Sequence, residues 1–303
     1  MVLAYFQMMR PMNSIMSAFA VFIGGLLVIG WNFQHLMGYS PLYLALLLVF
    51  LITGAGNVIN DYFDVESDKI NKPKRPLPSG RASRRGALVF SISLFSIGII
   101  IAGFINWPAF VIAVVNSVLL IFYSSHLQNK VLLGNLAVGY LTGSTFLFGG
   151  VAMNNMVLPI WLAMLSGLAT VSREIIKDLE DIEGDGKGFL KRLSSSVQKI
   201  STPIAERFGI TTKGVEMKIN KKRAIDLAII TLVMSVAISP IPFLFGILGM
   251  TYLLAVIPTD ALFIFAAFQM NRMNGKSNYK SIQKTIKVGM YLGLVAFLIG
   301  VLF

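Results

Sequence analysis

Nine runs of mainly apolar residues, at 12–30, 41–59, 86–106, 108–124, 134–152, 157–176, 224–240, 243–270 and 284–303, take up most of the 303-residue chain. A helix needs about 20 such residues to cross the hydrocarbon core of a bilayer, and each run is of that order. Inside a bilayer the backbone polar groups find no water, so runs of this kind must satisfy their own hydrogen bonds as helices. With 55% hydrophobic and only 13% charged residues, a water-soluble fold would lack the polar surface to cover its core. The chain is therefore expected to be an all-α polytopic membrane protein with nine transmembrane helices.

The breaks between runs carry their own information. Only Asn106, Trp107 and Pro108 separate the third run from the fourth, which demands a tight helical hairpin. Pro258 falls inside the eighth run and predicts a kink. The first basic residue is Arg10, so the amino terminus lacks the charged start of a removable signal, and 12–30 is read as a spanning helix.

Loop charge sets the orientation. With the amino terminus in the cytoplasm, the loops at 31–40, 106–108, 153–156 and 241–242 lie outside, and none of them holds a Lys or Arg. All 26 basic residues fall at Arg10, in 60–85, at Lys130, between Arg173 and Arg223, or between Arg272 and Lys287. Each of those places is then cytoplasmic, as the positive-inside bias requires, and the carboxyl terminus is outside. The expected location is the cell membrane, multi-pass. The formal charge of +12 belongs to short loops between spans rather than to a soluble basic module, so nucleic acid is excluded as a partner. The absence of cysteine removes disulfides, thiolate catalysis and Cys-ligated metals together.

Chemistry becomes visible in the acidic residues. Of 14 Asp and Glu, four lie between Asn60 and Asp68, and six more between Glu174 and Asp185. Both stretches follow the cytoplasmic end of an apolar run. At about 100° per residue, Asn57, Asn60, Asp61, Asp64 and Asp68 share an arc of roughly 100°, and Asp178, Asp181 and Asp185 share roughly 60°. Solvated helix ends are the plain alternative. Yet like charges at i,i+4 repel, and two one-faced rows inside otherwise basic loops are better explained as hard oxygen ligands. Carboxylates without nitrogen partners suit Mg²⁺, which bridges to substrate phosphates. The neighbouring Lys72, Lys74, Arg75, Arg81 and Lys177 are placed to hold phosphate oxygens.

These residues carry a resemblance. Asn60-Asp61-x-x-Asp64-x-x-x-Asp68 followed by Asn71-Lys72-Pro73-Lys74-Arg75-Pro76 resembles the first signature of the UbiA superfamily of intramembrane prenyltransferases. Asp178-x-x-Asp181-x-x-x-Asp185 is similar to the second, and Arg10-Pro11-x-Asn13 to the short motif that opens the first helix. The resemblance implies nine helices around a central cavity, with the active site at the cytoplasmic face. It implies Mg²⁺ held by Asn60, Asp61, Asp64, Asp68, Asp178, Asp181 and Asp185, with Asp64, Asp181 and Tyr123 in catalytic roles. Arg10, Asn13, Asn57, Lys72, Arg75, Lys130 and Lys177 are the substrate-binding candidates. The stretches Gly56-Asn57-x-x-Asn60-Asp61 and Arg173-Glu174-Ile175-Ile176-Lys177-Asp178 look most like the archaeal branch that alkylates geranylgeranylglyceryl phosphate. The implied partners are a prenyl diphosphate, a lipid acceptor and the surrounding membrane lipids. An aromatic acceptor is the alternative within the superfamily. A non-enzymatic carrier of lipid phosphate or cations is the alternative outside it, disfavoured because carriers place acids near the bilayer midplane.

Two features depart from the family pattern. The family often has a Lys soon after the tyrosine of the fourth helix, whereas here Tyr123 is followed by Ser-Ser-His-Leu-Gln-Asn and the first Lys is Lys130. Residues 186–201 also separate Asp185 from Thr202-Pro203, an insertion that reads as a lid or a surface segment. Among the remaining polar residues, His35 reads as inert, His126 as a satisfied interfacial histidine rather than a catalytic base, and Asp226 as snorkelling or paired with Arg223 near a helix start. Asp260 lies in mid-span, where a carboxylate costs about 2.5–3.5 kcal/mol, so it is expected to face a cavity or a partner.

Overall fold

The computed structural model describes residues 2–30, 38–128, 131–184, 221–272 and 278–302. Among these residues all regular structure is helical. The helices are α1 (Val2–Met8), α2 (Pro11–Ile29), α3 (Ser40–Asn71), α4 (Arg84–Ile105), α5 (Trp107–Phe122), α6 (Val131–Ala152), α7 (Val157–Gly184), α8 (Lys221–Ile238), α9 (Ile241–Leu244), α10 (Met250–Asn271) and α11 (Tyr279–Leu302). A single π turn, Tyr123–Leu127, prolongs α5.

Among the described residues, eight helical stretches are long and apolar enough to cross a membrane. The run at 157–176 is not in that set. It forms the first part of α7, whose polar residues Thr170 and Ser172 are 1% and 0% exposed. This helix packs against α6, α8 and α11, so these polar side chains face protein, while Arg173 and Glu174 lower its mean hydropathy. A second boundary also moved. The run at 243–270 is not one helix, because α9 ends at Leu244 and α10 begins at Met250, after a turn in which Gly246 adopts φ +67°. Pro258 lies inside α10 without interrupting it.

Consecutive helices are neighbours, as short connections demand. α3 packs on α4, α4 on α5, α6 on α7 and α10 on α11, while α2 bridges α3 and α6. The hairpin between α4 and α5 turns on Asn106 alone. Its Oδ1 accepts from the Ala109 amide at 2.9 Å and caps α5, while its Nδ2 donates to the Val151 carbonyl at 2.8 Å. α2 and α6 approach closely enough that a β-carbon on Gly24 would collide with the Phe146 carbonyl, and one on Gly149 with the Val21 carbonyl. Small residues permit this kind of backbone contact where no hydrophobic force drives helices together. Outward faces are apolar: Val89, Ile92, Ile100 and Phe104 form an exposed stripe along α4, suited to lipid.

Two features of the fold position the site. α3 continues three turns beyond its apolar part, to Asn71, and α7 continues to Gly184. The acidic residues from Asn60 to Asp68 and from Asp178 to Asp181 therefore ride on helix, and the spacing that puts them on one face holds in space.

Candidate active site

The first row is built at a break between α1 and α2. Arg10 caps α2 with φ 50° and ψ 68°, a left-handed conformation that costs a non-glycine residue about 1–3 kcal/mol. Its neighbours hold it there. Asn57 Nδ2 donates to the Met9 carbonyl at 2.9 Å, and Ser14 Oγ donates to the same carbonyl at 3.1 Å. The Arg10 guanidinium then reaches Asp61 Oδ1 at 2.6 Å. Arg75, from the loop after α3, meets the same Asp61 oxygen at 3.0 Å and Asp68 Oδ2 at 2.6 Å. That loop is pinned to α1, since Arg81 donates to Gln7 Oε1 at 3.1 Å and to the Lys74 carbonyl at 2.6 Å. Asp61 and Asp68 are buried, at 5% and 4% exposure. Two of the five oxygen-bearing residues of this row are thus engaged by guanidinium groups.

Asn60 and Asp64 face elsewhere. Asn60 Nδ2 donates to Gln128 Oε1 at 3.1 Å, and Gln128 Nε2 donates to Asp64 Oδ2 at 3.1 Å. Asn13 is exposed in the first turn of α2, and Lys72 caps α3 with its side chain exposed.

The second row sits at the end of α7. Asn135 Nδ2, from α6, donates to Asp178 Oδ2 at 2.9 Å. Burial pushes the Asp178 carboxyl above the ordinary carboxylate range. The Asn135 bond and Lys177 act against that rise, and Glu174 and Asp181 add to it. Asp181 is exposed. Lys177 pairs with Glu174 Oε2 at 3.2 Å, and Arg173 pairs with the other Glu174 oxygen. Tyr123 connects the rows: it is half-buried and lies within electrostatic reach of Glu174, Asp178 and Asp64. Asp185 and Lys130 lie outside the described residues, as do His35 and the 186–201 insertion.

Among the described residues no three Asp, Glu or His side chains converge on one point suited to a metal. Mg²⁺ does not require that. It is commonly bound through one or two carboxylates, keeps several waters and takes the remaining oxygens from phosphate. Asp64 and Asp178 fit this pattern, because each carboxylate is oriented by a neutral amide that leaves its charge uncompensated. Gln128 and Asn135 had no signal in the sequence: each is a lone amide, 64 and 43 residues from the carboxylate it meets.

Below the site, α6, α7, α8, α10 and α11 enclose a largely apolar cavity of about 160 Å³. Its walls include Thr142, Phe146, Ala169, Phe263 and Phe297. Ala169 precedes Asp178 by nine residues on the same helix, so the cavity begins about 13 Å beneath it. Asp260 also lines the cavity, as its mid-span position predicted, and it accepts from Ser239 Oγ at 2.6 Å. His126 stacks on Phe122, with its Nδ1 2.6 Å from Ser125 Oγ.

Comparison with known proteins agrees with the motifs. A digeranylgeranylglyceryl phosphate synthase of Methanococcus maripaludis is 40% identical over 300 residues, covering 99% of this chain and 98% of the relative. A solved structure of a digeranylgeranylglyceryl phosphate synthase superposes with a TM-score of 0.82 at 33% identity, covering 99% of this chain and 98% of that one. A UbiA homologue from Archaeoglobus fulgidus, solved with GPP and Mg²⁺, shares the fold at a TM-score of 0.60 and 17% identity, covering 97% of this chain and 99% of that one. The UbiA prenyltransferase family matches residues 15–293. The chain is an integral membrane protein and belongs to the UbiA prenyltransferase family.

Proposed function

We propose that this protein transfers a geranylgeranyl group from geranylgeranyl diphosphate to the free hydroxyl of geranylgeranylglyceryl phosphate, forming the second ether bond of an archaeal lipid. The observation that carries the reading is the pair of helix-end carboxylates, Asp64 and Asp178, each oriented by a neutral amide, in a bundle that also holds an apolar cavity. The full-length similarity to enzymes named for this product supports the choice of acceptor.

Mg²⁺, when bound, offsets the charge that builds on the departing diphosphate, which is the dominant contribution in such chemistry. Asp64 and Asp178 are the residues that would hold it, with Asn60 and Asp181 beside them on the same helices. Asp61 and Asp68 instead hold Arg10 and Arg75 in place, so that the remaining guanidinium N–H groups face anionic oxygen. The donor C1–O bond breaks, the electron pair leaves with diphosphate, and an allylic cation remains. The apolar walls keep water from it. The acceptor hydroxyl oxygen bonds to C1 and passes its proton to the released diphosphate. Tyr123, between the two rows, stabilises the cation through its ring face. The donor or acceptor chain extends into the cavity lined by Phe146 and Phe297.

This reading places nine crossings in the bilayer, α7 included, with both acidic rows in the cytoplasm and the carboxyl terminus outside. The chain has no cysteine, so single replacements report topology cleanly. Cys at Ser83 is expected to react with an impermeant thiol reagent only from the cytoplasmic side, and Cys at Gly38 or Asn154 only from the other. Labelling of Ser83→Cys and Gly38→Cys from one face would overturn the arrangement.

The acceptor is tested by competition. With labelled geranylgeranyl diphosphate and equal concentrations of acceptors, geranylgeranylglyceryl phosphate is expected to outpace 4-hydroxybenzoate and dihydroxynaphthoate by at least about 100-fold. An acceptor that carries phosphate gains charge-assisted hydrogen bonds of roughly 1.5–3 kcal/mol each, and two of them account for that ratio. Faster prenylation of an aromatic acid would reject the lipid acceptor and leave the diphosphate cradle intact.

A further inference from the structure

The π turn at Tyr123–Leu127 is the one departure from α geometry in the described spans, and its consequence is Gln128. The Gln128 amide donates to the Tyr123 carbonyl at 2.9 Å, five residues back. Widening a helix this way disturbs the bonding of the preceding turn. Here Ser124 Oγ donates to the Leu120 carbonyl at 2.9 Å, and Ser125 Oγ to the Ile121 carbonyl at 2.8 Å. Both hydroxyls thus supply bonds where the ladder is altered, and the turn is built into the local sequence. π turns concentrate at functional sites because the extra residue re-aims the side chains that follow.

Gln128 is re-aimed onto α3, where its carbonyl takes the Asn60 amide and its own amide meets Asp64 Oδ2, both at 3.1 Å. One side chain thereby fixes the relative orientation of two neighbouring oxygen donors and leaves Asp64 Oδ1 for another partner. The choice of an amide matters electrostatically. Arg75 already neutralises part of this row through Asp61 and Asp68, and a further cation on Asp64 would compete with a divalent ion for the same charge. A neutral donor orients the carboxylate without discharging it.

We infer that Gln128 is a positioning residue for divalent-metal binding, acting through Asn60 and Asp64 and placed by the π turn. The inference rests on the proposed role of Asp64, and the experiment separates the two. Purified full-length protein in detergent is titrated with Mn²⁺ in the presence of inorganic pyrophosphate, with free Mn²⁺ followed by electron paramagnetic resonance and thermal unfolding measured in parallel. Residues that orient metal ligands typically contribute 10- to 100-fold to affinity. Gln128→Ala is expected to weaken Mn²⁺ binding by about 10-fold or more, Gln128→Lys by at least as much, and Asp64→Asn by more than either.

Unchanged affinity in Gln128→Ala, with Asp64→Asn weakened, overturns the positioning role alone. Unchanged affinity in Asp64→Asn overturns the metal role of that carboxylate and this inference with it. If Gln128→Ala unfolds early, Gln128→Met keeps the length and the apolar stem while removing both hydrogen bonds, and its affinity decides the question in the same terms.

Discussion

Asp64→Asn is expected to lower prenyl transfer by roughly 10²–10³-fold, the scale seen when one charge-stabilising group is removed from a preorganised site. Asparagine has the shape of aspartate, and its side-chain oxygen can still accept from Gln128, so packing is preserved. What disappears is the negative charge on the one residue of the first row that meets a neutral donor rather than an arginine. Asp178→Asn should behave alike, because Asn135 orients that carboxylate in the same way. The measurement is single-turnover transfer from labelled geranylgeranyl diphosphate at saturating Mg²⁺, on protein whose elution profile and unfolding temperature match the wild type. Turnover within tenfold of wild type in both variants would remove the carboxylates from the mechanism.

Asp61→Asn should fail differently, by loss of stability. One Asp61 oxygen accepts from both Arg10 and Arg75, and the carboxylate is almost wholly buried. Removing one member of a buried ionic group strands its partners and typically costs about 3–5 kcal/mol. Arg10 and Arg75 keep 32% and 24% side-chain exposure, so water recovers part of that, and about 3 kcal/mol is expected. The left-handed Arg10 backbone adds leverage, because its strain is tolerated only while the surroundings hold it. Thermal unfolding in detergent is the readout, with Arg10→Gln and the double variant completing a cycle. A shared anchor predicts strong non-additivity. Unfolding of Asp61→Asn at the wild-type temperature would show that the arginines do not depend on it.

These two outcomes separate residues that look equivalent in sequence. Asp61 and Asp64 lie in one motif, three residues apart on one face of α3, and both read as oxygen ligands. The structure gives them different partners because each points toward a different neighbour. Asp61 faces the α1–α2 break and the loop that bears Arg75, and Asp64 faces the end of α5. Lys177, a phosphate-binding candidate, pairs with Glu174 and keeps about half of its side chain exposed.

Much was legible from the chain alone, for a definite reason. Apolar length is a local property, and a bilayer punishes every unpaired backbone group, so helices and their approximate limits follow from composition. The same holds for the acidic rows, because 100° per residue is independent of context once helix continues, and α3 and α7 do continue to Asn71 and Gly184. The burial of Thr170 and Ser172 in α7 already depended on neighbours, because such hydroxyls are acceptable there only against other helices.

Pairings between distant residues came from tertiary structure alone. Gln128 with Asp64, Asn135 with Asp178, and Arg10 with Asp61 join positions 64, 43 and 51 residues apart. A single amide or guanidinium on one helix carries no mark of which carboxylate it will meet. That depends on which helices pack side by side and on the phase of each at the contact, and in α5 one extra residue in a π turn alters the phase. The chain by itself determined that two rows of carboxylates would stand at helix ends. The packing decided which carboxylates meet an arginine and which meet a neutral amide.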